Sequence, residues 1–481
     1  FGNAPPTGWQ TAFPPAGPAV TVTPMAQIED APVQHLTPPP ELELAGIGNG
    51  SPGSGSIPHG EFVPPRPRTL AESGLTAPFV SELVLKLMHF ATQLPAYEIA
   101  TRLRLDYECI HQVIAQLANN SYIQSLGQAA RSDQPLESLE AGMAYMITES
   151  GRERAREILD RNQYMGPAPV PLFEYQQAVK QQGLPENFAT RENLRRTLSS
   201  LVVADETLEL LGPAFNSRSS VFLYGHPGNG KSSIARAAQT LLGGGVYLPY
   251  ALVADDAVIR LFDPGHHEPL GGAVSEADQR WVRCKRPFVQ VGGELDLSML
   301  DLVWHSGFKF YEAGLQMKAN GGIFLVDDFG RQDVSPRKLL NRFIVPLEEG
   351  VDYLNMANVG KKIEVPFGMM IFFSTNLEPS ELVDEAFLRR IRYKINIPDP
   401  TAEEFKTIFV REAERMGMSG GDTSAYYILG KYYKNRTPRG VHPRDILSHV
   451  REIAAFLGEP PSLSKELLDR ACSTYFLLEN V

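Results

Sequence analysis

One stretch restricts what this chain can fold into more than any other. Four apolar residues, Val221-Phe222-Leu223-Tyr224, run into Gly225-His226-Pro227-Gly228-Asn229-Gly230-Lys231-Ser232, and Ser233-Ile234-Ala235-Arg236-Ala237-Ala238 follows with the character of a helix start. Strand, loop and helix stand in the order that G-x-x-x-x-G-K-[ST] demands. The glycines let the main chain wrap around phosphates with its N–H groups pointing inward, and the positive end of the helix dipole adds to the attraction. Lys231 then reaches the β and γ phosphates of a nucleoside triphosphate, and the Ser232 hydroxyl ligates Mg²⁺. The candidate nucleotide-binding residues are Gly225, Pro227, Gly228, Asn229, Gly230, Lys231, Ser232 and Ser233.

Such a loop needs carboxylates from a neighbouring strand. Ile323-Phe324-Leu325-Val326-Asp327-Asp328 offers four apolar residues and then two acids at the C-terminal end, the end at which parallel sheets bind ligands. Asp327 is expected to hold Mg²⁺ through water, and Asp328 to orient and deprotonate the attacking water. The commoner residue at the second acid position is Glu, one methylene longer. A third apolar run, Met369 to Phe373, ends in Ser374-Thr375-Asn376. Asn376 either starts a turn or, beside the second strand, hydrogen-bonds the attacking water or the γ phosphate.

The rest of the 481 residues divides by composition and period. Residues 1–68 hold 15 of the 38 prolines and 9 glycines with no apolar periodicity, so residues 1–70 are expected to be a disordered arm, either a tether or a docking segment. Between 75 and 160, helical spacing in Phe79–Met88, Ala96–Leu103 and Tyr107–Asn119 precedes two short strand patterns, Tyr122-Ile123 and Ala144–Ile147, and a last helix from Thr148. Asp106 stands as an N-cap, and the order is that of a winged helix-turn-helix. Its second helix carries Glu108, His111, Gln112 and Gln116 but no Lys or Arg. The module holds seven basic against eleven acidic residues, a net of −4, which disfavours DNA and favours protein docking. Residues 161–190 are expected to be a stiff linker through Gly166-Pro167-Ala168-Pro169-Val170-Pro171. Residues 191–397 alternate strands and helices as in a parallel α/β sheet, and 398–481 are helical.

The whole chain has a net charge of −11, which also speaks against a nucleic-acid partner. Three well-separated cysteines, Cys109, Cys284 and Cys472, make no disulfide framework and no zinc spacing, and suggest a reducing, cytoplasmic setting. No run of 18 apolar residues predicts a membrane span.

Taken together, the three strands resemble the AAA+ ATPase family of P-loop NTPases. The resemblance covers roughly 185–481 and implies ATP hydrolysis with Mg²⁺, an α/β core with a C-terminal helical lid, and a ring-shaped homo-oligomer, hexameric by the family's habit. Asn376 falls at the family's sensor 1. Asp384-Glu385-Ala386-Phe387-Leu388-Arg389-Arg390-Ile391 resembles its arginine-finger segment, which makes Arg389 and Arg390 the fingers, Arg390 slightly preferred, against ordinary ion pairs with Asp384 or Glu385. Gly440-Val441-His442-Pro443-Arg444-Asp445-Ile446 resembles the start of its sensor 2 helix, which makes Arg444 the lid arginine, against a salt bridge to Asp445. Two departures stand out: Asp328 in place of Glu, and an excess of chain around Asp263 to Gly293. The excess includes Asp263, His266, His267 and Glu268, whose spacing fits no zinc pattern, so a loop insertion is expected.

From about residue 75 the chain is similar to bacterial ATPases described as having chaperone activity and associated with Flp (tight-adherence) pilus assembly. The stretches that carry this are Gly166–Leu172, Gly292-Gly293-Glu294-Leu295, Asp327–Gln332, Leu339–Glu348 and Ala386–Ile391. The resemblance implies a motor that remodels a protein client, such as a pilus or secretion component, with Phe308, Phe310 and Tyr311 as channel-lining candidates against a place in the core. The alternatives are a DNA-acting AAA+ loader or regulator, and a nucleotide-gated scaffold with weak hydrolysis.

Overall fold

The computed structural model describes residues 62–91, 93–128, 140–271, 276–382 and 388–476. The expected arm lies outside the described residues up to 61. Among the described residues no helix is long and apolar enough to cross a membrane.

Five parallel strands form the central sheet: β1 (Val221–Tyr224), β2 (Phe288–Val291), β3 (Ile323–Val326), β4 (Met370–Thr375) and β5 (Tyr393–Asn396). Their order is β2-β3-β4-β1-β5. Side chains alternate across a strand, and here both faces are covered, so the strands read as unbroken apolar runs. Val221, Leu223, Ile323, Leu325, Met370 and Phe372 pack with the helix Lys231–Leu242 on one face. Phe222, Phe324, Val326, Ile371 and Phe373 pack with the helix Pro336–Glu349 on the other. Because β4 lies between β1 and β3, the chain segments leaving these three strands emerge side by side.

Residues 77–159 form four helices, Ala77–Phe90, Ala96–Leu103, Tyr107–Asn119 and Glu149–Leu159, around a three-stranded antiparallel sheet of Gln93–Pro95, Met143–Ile147 and Ile123–Gln128. The Thr76 and Thr148 hydroxyls cap two of the helices by accepting from Phe79 N and Gly151 N. Gly151 is obligatory, since a Cβ there would meet Tyr122 O at 2.1 Å. Asp106 occupies the N-cap position of Tyr107–Asn119 but gives no side-chain cap. Its carboxylate accepts instead from Arg66 Nε at 2.9 Å.

Two expectations differ from the structure. Residues 161–190 are not a free linker: Val170–Pro171 pairs in parallel with Leu252–Val253, and the helix Leu172–Gln181 buries Tyr175, Ala178 and Val179. The excess chain around Asp263 to Gly293 is only in part a loop: Trp281–Lys285 pairs antiparallel with Gly245–Pro249, and Phe288–Val291 is β2 of the central sheet. Val170–Pro171, Ala251–Ala254, Ala257–Arg260, Phe310–Glu312 and Val303–His305 make a second five-stranded sheet. The hairpin of Val351–Met356 and Lys361–Pro366 sends Leu354, Met356, Ile363 and Val365 into that sheet's core. Tyr311 is fully buried there and Phe310 is buried as well, so neither lines a channel; Phe308 is exposed. Arg280 is 1 % exposed. It joins three segments that are distant in sequence through Asp278 (2.8 Å), Ser73 O (2.8 Å) and Pro169 O (3.3 Å), the last just ahead of Val170–Pro171.

The chain closes with helices Ala402–Arg415, Gly421–Tyr432, His442–Leu457 and Lys465–Tyr475. They pack around Phe405, Phe409, Ile428, Ile446, Val450 and Leu468. A reciprocal box between Thr401 and Glu404 starts the first of them.

Candidate nucleotide site

The loop after β1 folds as its glycines require. Gly225, Gly228 and Gly230 have φ of 130°, 86° and 86°, values that L side chains rarely adopt. Gly230 precedes the helix Lys231–Leu242, so the loop N–H groups and the helix N-terminus share one concavity. Lys231 is 6 % exposed. Its ammonium donates to Gly225 O (2.8 Å), His226 O (2.9 Å) and Asn376 Oδ1 (2.8 Å). Burial lowers its pKa, opposed by the nearby charges of Asp327 and Asp328.

The segments after β3 and β4 meet this lysine. Ser232 Oγ donates to Asp327 Oδ2 at 2.7 Å. Asn376 Nδ2 donates to Asp328 Oδ1 at 3.0 Å, so one amide joins Lys231 to the second acid. Asp328 has φ of 47°, a left-handed conformation that Asp tolerates better than most residues. The turn is fastened to β4: Phe329 N donates to Ser374 O at 2.7 Å, and Thr375 Oγ1 to Phe329 O at 2.8 Å. Gln332 Nε2 donates to Asp327 O at 3.1 Å from below.

These residues fit Mg²⁺ and a triphosphate. A hydroxyl and a carboxylate in contact are the hard oxygen donors that Mg²⁺ prefers, few in number because the ion keeps several waters. The lysine ammonium, held by main-chain oxygens of the loop, sits at the mouth of the N–H cradle. Pro227, Gly228 and Ser233 are exposed around it. Among the described residues no group of three or more His, Cys, Asp and Glu is placed to hold a metal. His267 uses both ring nitrogens on the main chain, with Asp263 N at 3.0 Å and Lys318 O at 2.8 Å. Asp263 pairs with Lys318 at 2.7 Å.

The helical C-terminus reaches the loop. Asn229 Nδ2 donates to Asp399 Oδ1 at 2.8 Å, His226 Nδ1 contacts Asp399 Oδ2 at 2.7 Å, and Gly440 N donates to Asn229 Oδ1 at 3.1 Å. A Cβ on Gly228 would meet Val441 Cγ1 at 2.4 Å. Arg444 is not at this contact; it bonds Asp445 at 3.1 Å and is exposed. Arg439 is the arginine whose charge acts on Lys231, and sequence reasoning passed over it, as it did Asp399. The segment's Asp384, Glu385, Ala386 and Phe387 lie outside the described residues. Arg390 Nε bonds Glu348 at 2.6 Å, whereas Arg389 is exposed.

One family matches, over residues 401–474, and is described as a domain of unknown function (DUF8689). No curated protein matches the chain. Among solved structures the chain is similar to the Thermotoga maritima RuvB Holliday junction branch migration motor at 15% identity, covering 60% of this chain and 72% of that one with a TM-score of 0.30. It is similar to NtrX from Brucella abortus in complex with ADP at 15% identity, covering 57% and 56% with a TM-score of 0.36. The strand order and the hydrogen-bonded loop, rather than these distant likenesses, establish a P-loop α/β core.

Proposed function

We propose that this chain is a Mg²⁺-dependent ATPase of the AAA+ kind that works as a ring and remodels a protein partner. The observation that carries the ATPase reading is the single cluster in which Lys231, Ser232, Asp327, Asp328 and Asn376 are joined by hydrogen bonds of 2.7–3.2 Å. The AAA+ reading is supported by the order β2-β3-β4-β1-β5 and by the helical C-terminus that touches the phosphate loop through Gly440.

In this reading the loop N–H groups and Lys231 bind the β and γ phosphates. Ser232 and Asp327 hold Mg²⁺, which supplies charge neutralisation on the phosphate oxygens. Asn376 orients the attacking water, and Asp328 takes its proton as the oxygen bonds to the γ phosphorus and ADP leaves. Arg389, with Arg390 beside it, supplies positive charge to a neighbour's γ phosphate, and Arg439 takes the lid role expected of Arg444. The acidic winged-helix-like module favours a protein client over DNA. The resemblance to pilus-assembly ATPases points to a secretion or pilus component in a bacterial cytoplasm.

The test is phosphate release from ATP by the full chain, with Lys231→Ala and Asp328→Asn alongside. Mg²⁺-dependent turnover lost in both variants supports the reading. Turnover that Asp328→Asn leaves unchanged removes Asp328 as the base, and nucleotide binding without turnover in any form favours a scaffold.

A further inference from the structure

The carboxylate of Asp327 is held from more than one side. Its Oδ2 accepts from Ser232 Oγ at 2.7 Å and also from Gln290 Nε2 at 3.0 Å. Its Oδ1 accepts from Asp328 N at 3.2 Å. Gln290 lies on β2, the edge strand beside β3, where it is in register with Leu325. Its own Oε1 accepts from Arg236 Nη2 at 3.0 Å. The Arg236 guanidinium in turn rests over the Phe288 ring, 4.5 Å from its centroid.

The spacing explains why the four meet. Phe288 and Gln290 are two apart on one strand and share a face, and Ser232 and Arg236 are four apart on one helix and share a face. Two rungs therefore link helix to strand: Ser232 and Gln290 converge on Asp327, and Arg236 closes over Phe288 and Gln290. Only one orientation of the Gln290 amide satisfies both neighbours. Turned over, it would set its NH₂ against a guanidinium and its oxygen against a carboxylate.

We infer that Gln290 is a positioning residue for the Mg²⁺-binding carboxylate of Asp327, and that Arg236 locks Gln290 in its donating orientation. This rests on the nucleotide-site reading given above. A neutral amide suits the place. It fixes the carboxylate without bringing a positive charge up against the cation, while Arg236 polarises the amide from one residue further out. Partners that orient a metal ligand in this way are typically worth about 10–100-fold in metal affinity or activity.

The experiment titrates a fluorescent ATP analogue into the full chain, first in EDTA and then at rising Mg²⁺, for wild type, Gln290→Leu and Arg236→Ala. Gln290 and Arg236 are exposed, so thermal melting of both variants is expected to stay near wild type. The expected result is unchanged metal-free nucleotide affinity with the Mg²⁺ concentration for half-maximal effect raised about 10-fold or more, more in Gln290→Leu than in Arg236→Ala. Wild-type Mg²⁺ dependence in Gln290→Leu overturns the proposal. So does an equal loss of metal-free binding, which marks a merely structural role. Nucleotide binding by wild type that ignores Mg²⁺ overturns the site reading itself, and is told apart because it needs no variant.

Discussion

Lys231 donates to the side-chain oxygen of Asn376 at 2.8 Å, and the nitrogen of the same amide donates to Asp328 at 3.0 Å. The amide therefore senses both the phosphate-binding cation and the acid that faces water. Removing a preorganised polar group from a phosphoryl-transfer site acts mainly on the transition state. Asn376→Ala is expected to lower kcat about 100-fold while nucleotide affinity changes little. Steady-state phosphate release beside a nucleotide-binding titration checks this; an equal loss in both would make Asn376 a structural residue of the loop.

Arg280 offers a stability test away from the nucleotide. It is 1 % exposed, and its partner Asp278 is 2 % exposed, with 2.8 Å between them. Breaking a buried pair from one side leaves an uncompensated charge. Arg280→Met is expected to cost about 3–5 kcal/mol and to loosen the contacts of residues 278–280 with Ser73 and Pro169, whose carbonyls lose their bonds to the guanidinium. Denaturant unfolding measures the loss. Removing both charges, as Arg280→Met with Asp278→Leu, is expected to restore part of it.

The nucleotide loop was legible because its information is local. The run Val221–Tyr224, the loop Gly225–Gly230 and the start of Lys231–Leu242 lie within one short window; Asp327 and Asp328 follow the apolar strand Ile323–Val326, and Asn376 follows Met370–Thr375. The second sheet was not legible, because its strands are two to four residues long and pair across distance: Val170 meets Leu252, and Tyr311 meets Ile259. No period develops in so short a strand. A proline-rich stretch such as Gly166–Pro171 reads as a linker until its partner strand is known. Arg439 was missed for a related reason. The sequence places several arginines near the start of His442–Leu457, and which one lies near enough for its charge to act on Lys231 depends on how Val441 packs against Gly228.

His267 predicts how stability follows pH. Burial lowers its pKa to about 4, against the opposing pull of its bond to the Lys318 carbonyl. A histidine whose folded pKa lies below its unfolded value of about 6.5 binds more protons when unfolded in the interval between the two. Its contribution is thus fully present above pH 6.5 and is lost as pH falls from there to about 4. The size is up to about 3 kcal/mol. Denaturant midpoints between pH 7 and 4.5 are expected to fall less steeply in His267→Gln than in wild type, and parallel curves would remove His267 from the account.

The two candidate fingers differ in their surroundings. Arg390 is held by Glu348 at 2.6 Å with its side chain 21 % exposed, whereas Arg389 is exposed on the surface. A cation that must reach a neighbouring subunit is better placed when it is not already paired, so Arg389 overtakes Arg390 as the residue to test. If the site is shared between subunits, the rate per subunit rises with protein concentration, and Arg389→Ala lowers it about 1,000-fold with nucleotide binding intact. Mixing supplies the decisive measurement. Lys231→Ala subunits cannot use their own site but carry an intact Arg389, and Arg389→Ala subunits carry an intact loop. Their mixture is expected to regain ATPase activity that neither has alone, because some interfaces then join a whole loop to a whole arginine. A mixture as inactive as its components would mean that Arg389 acts within its own subunit or not at all.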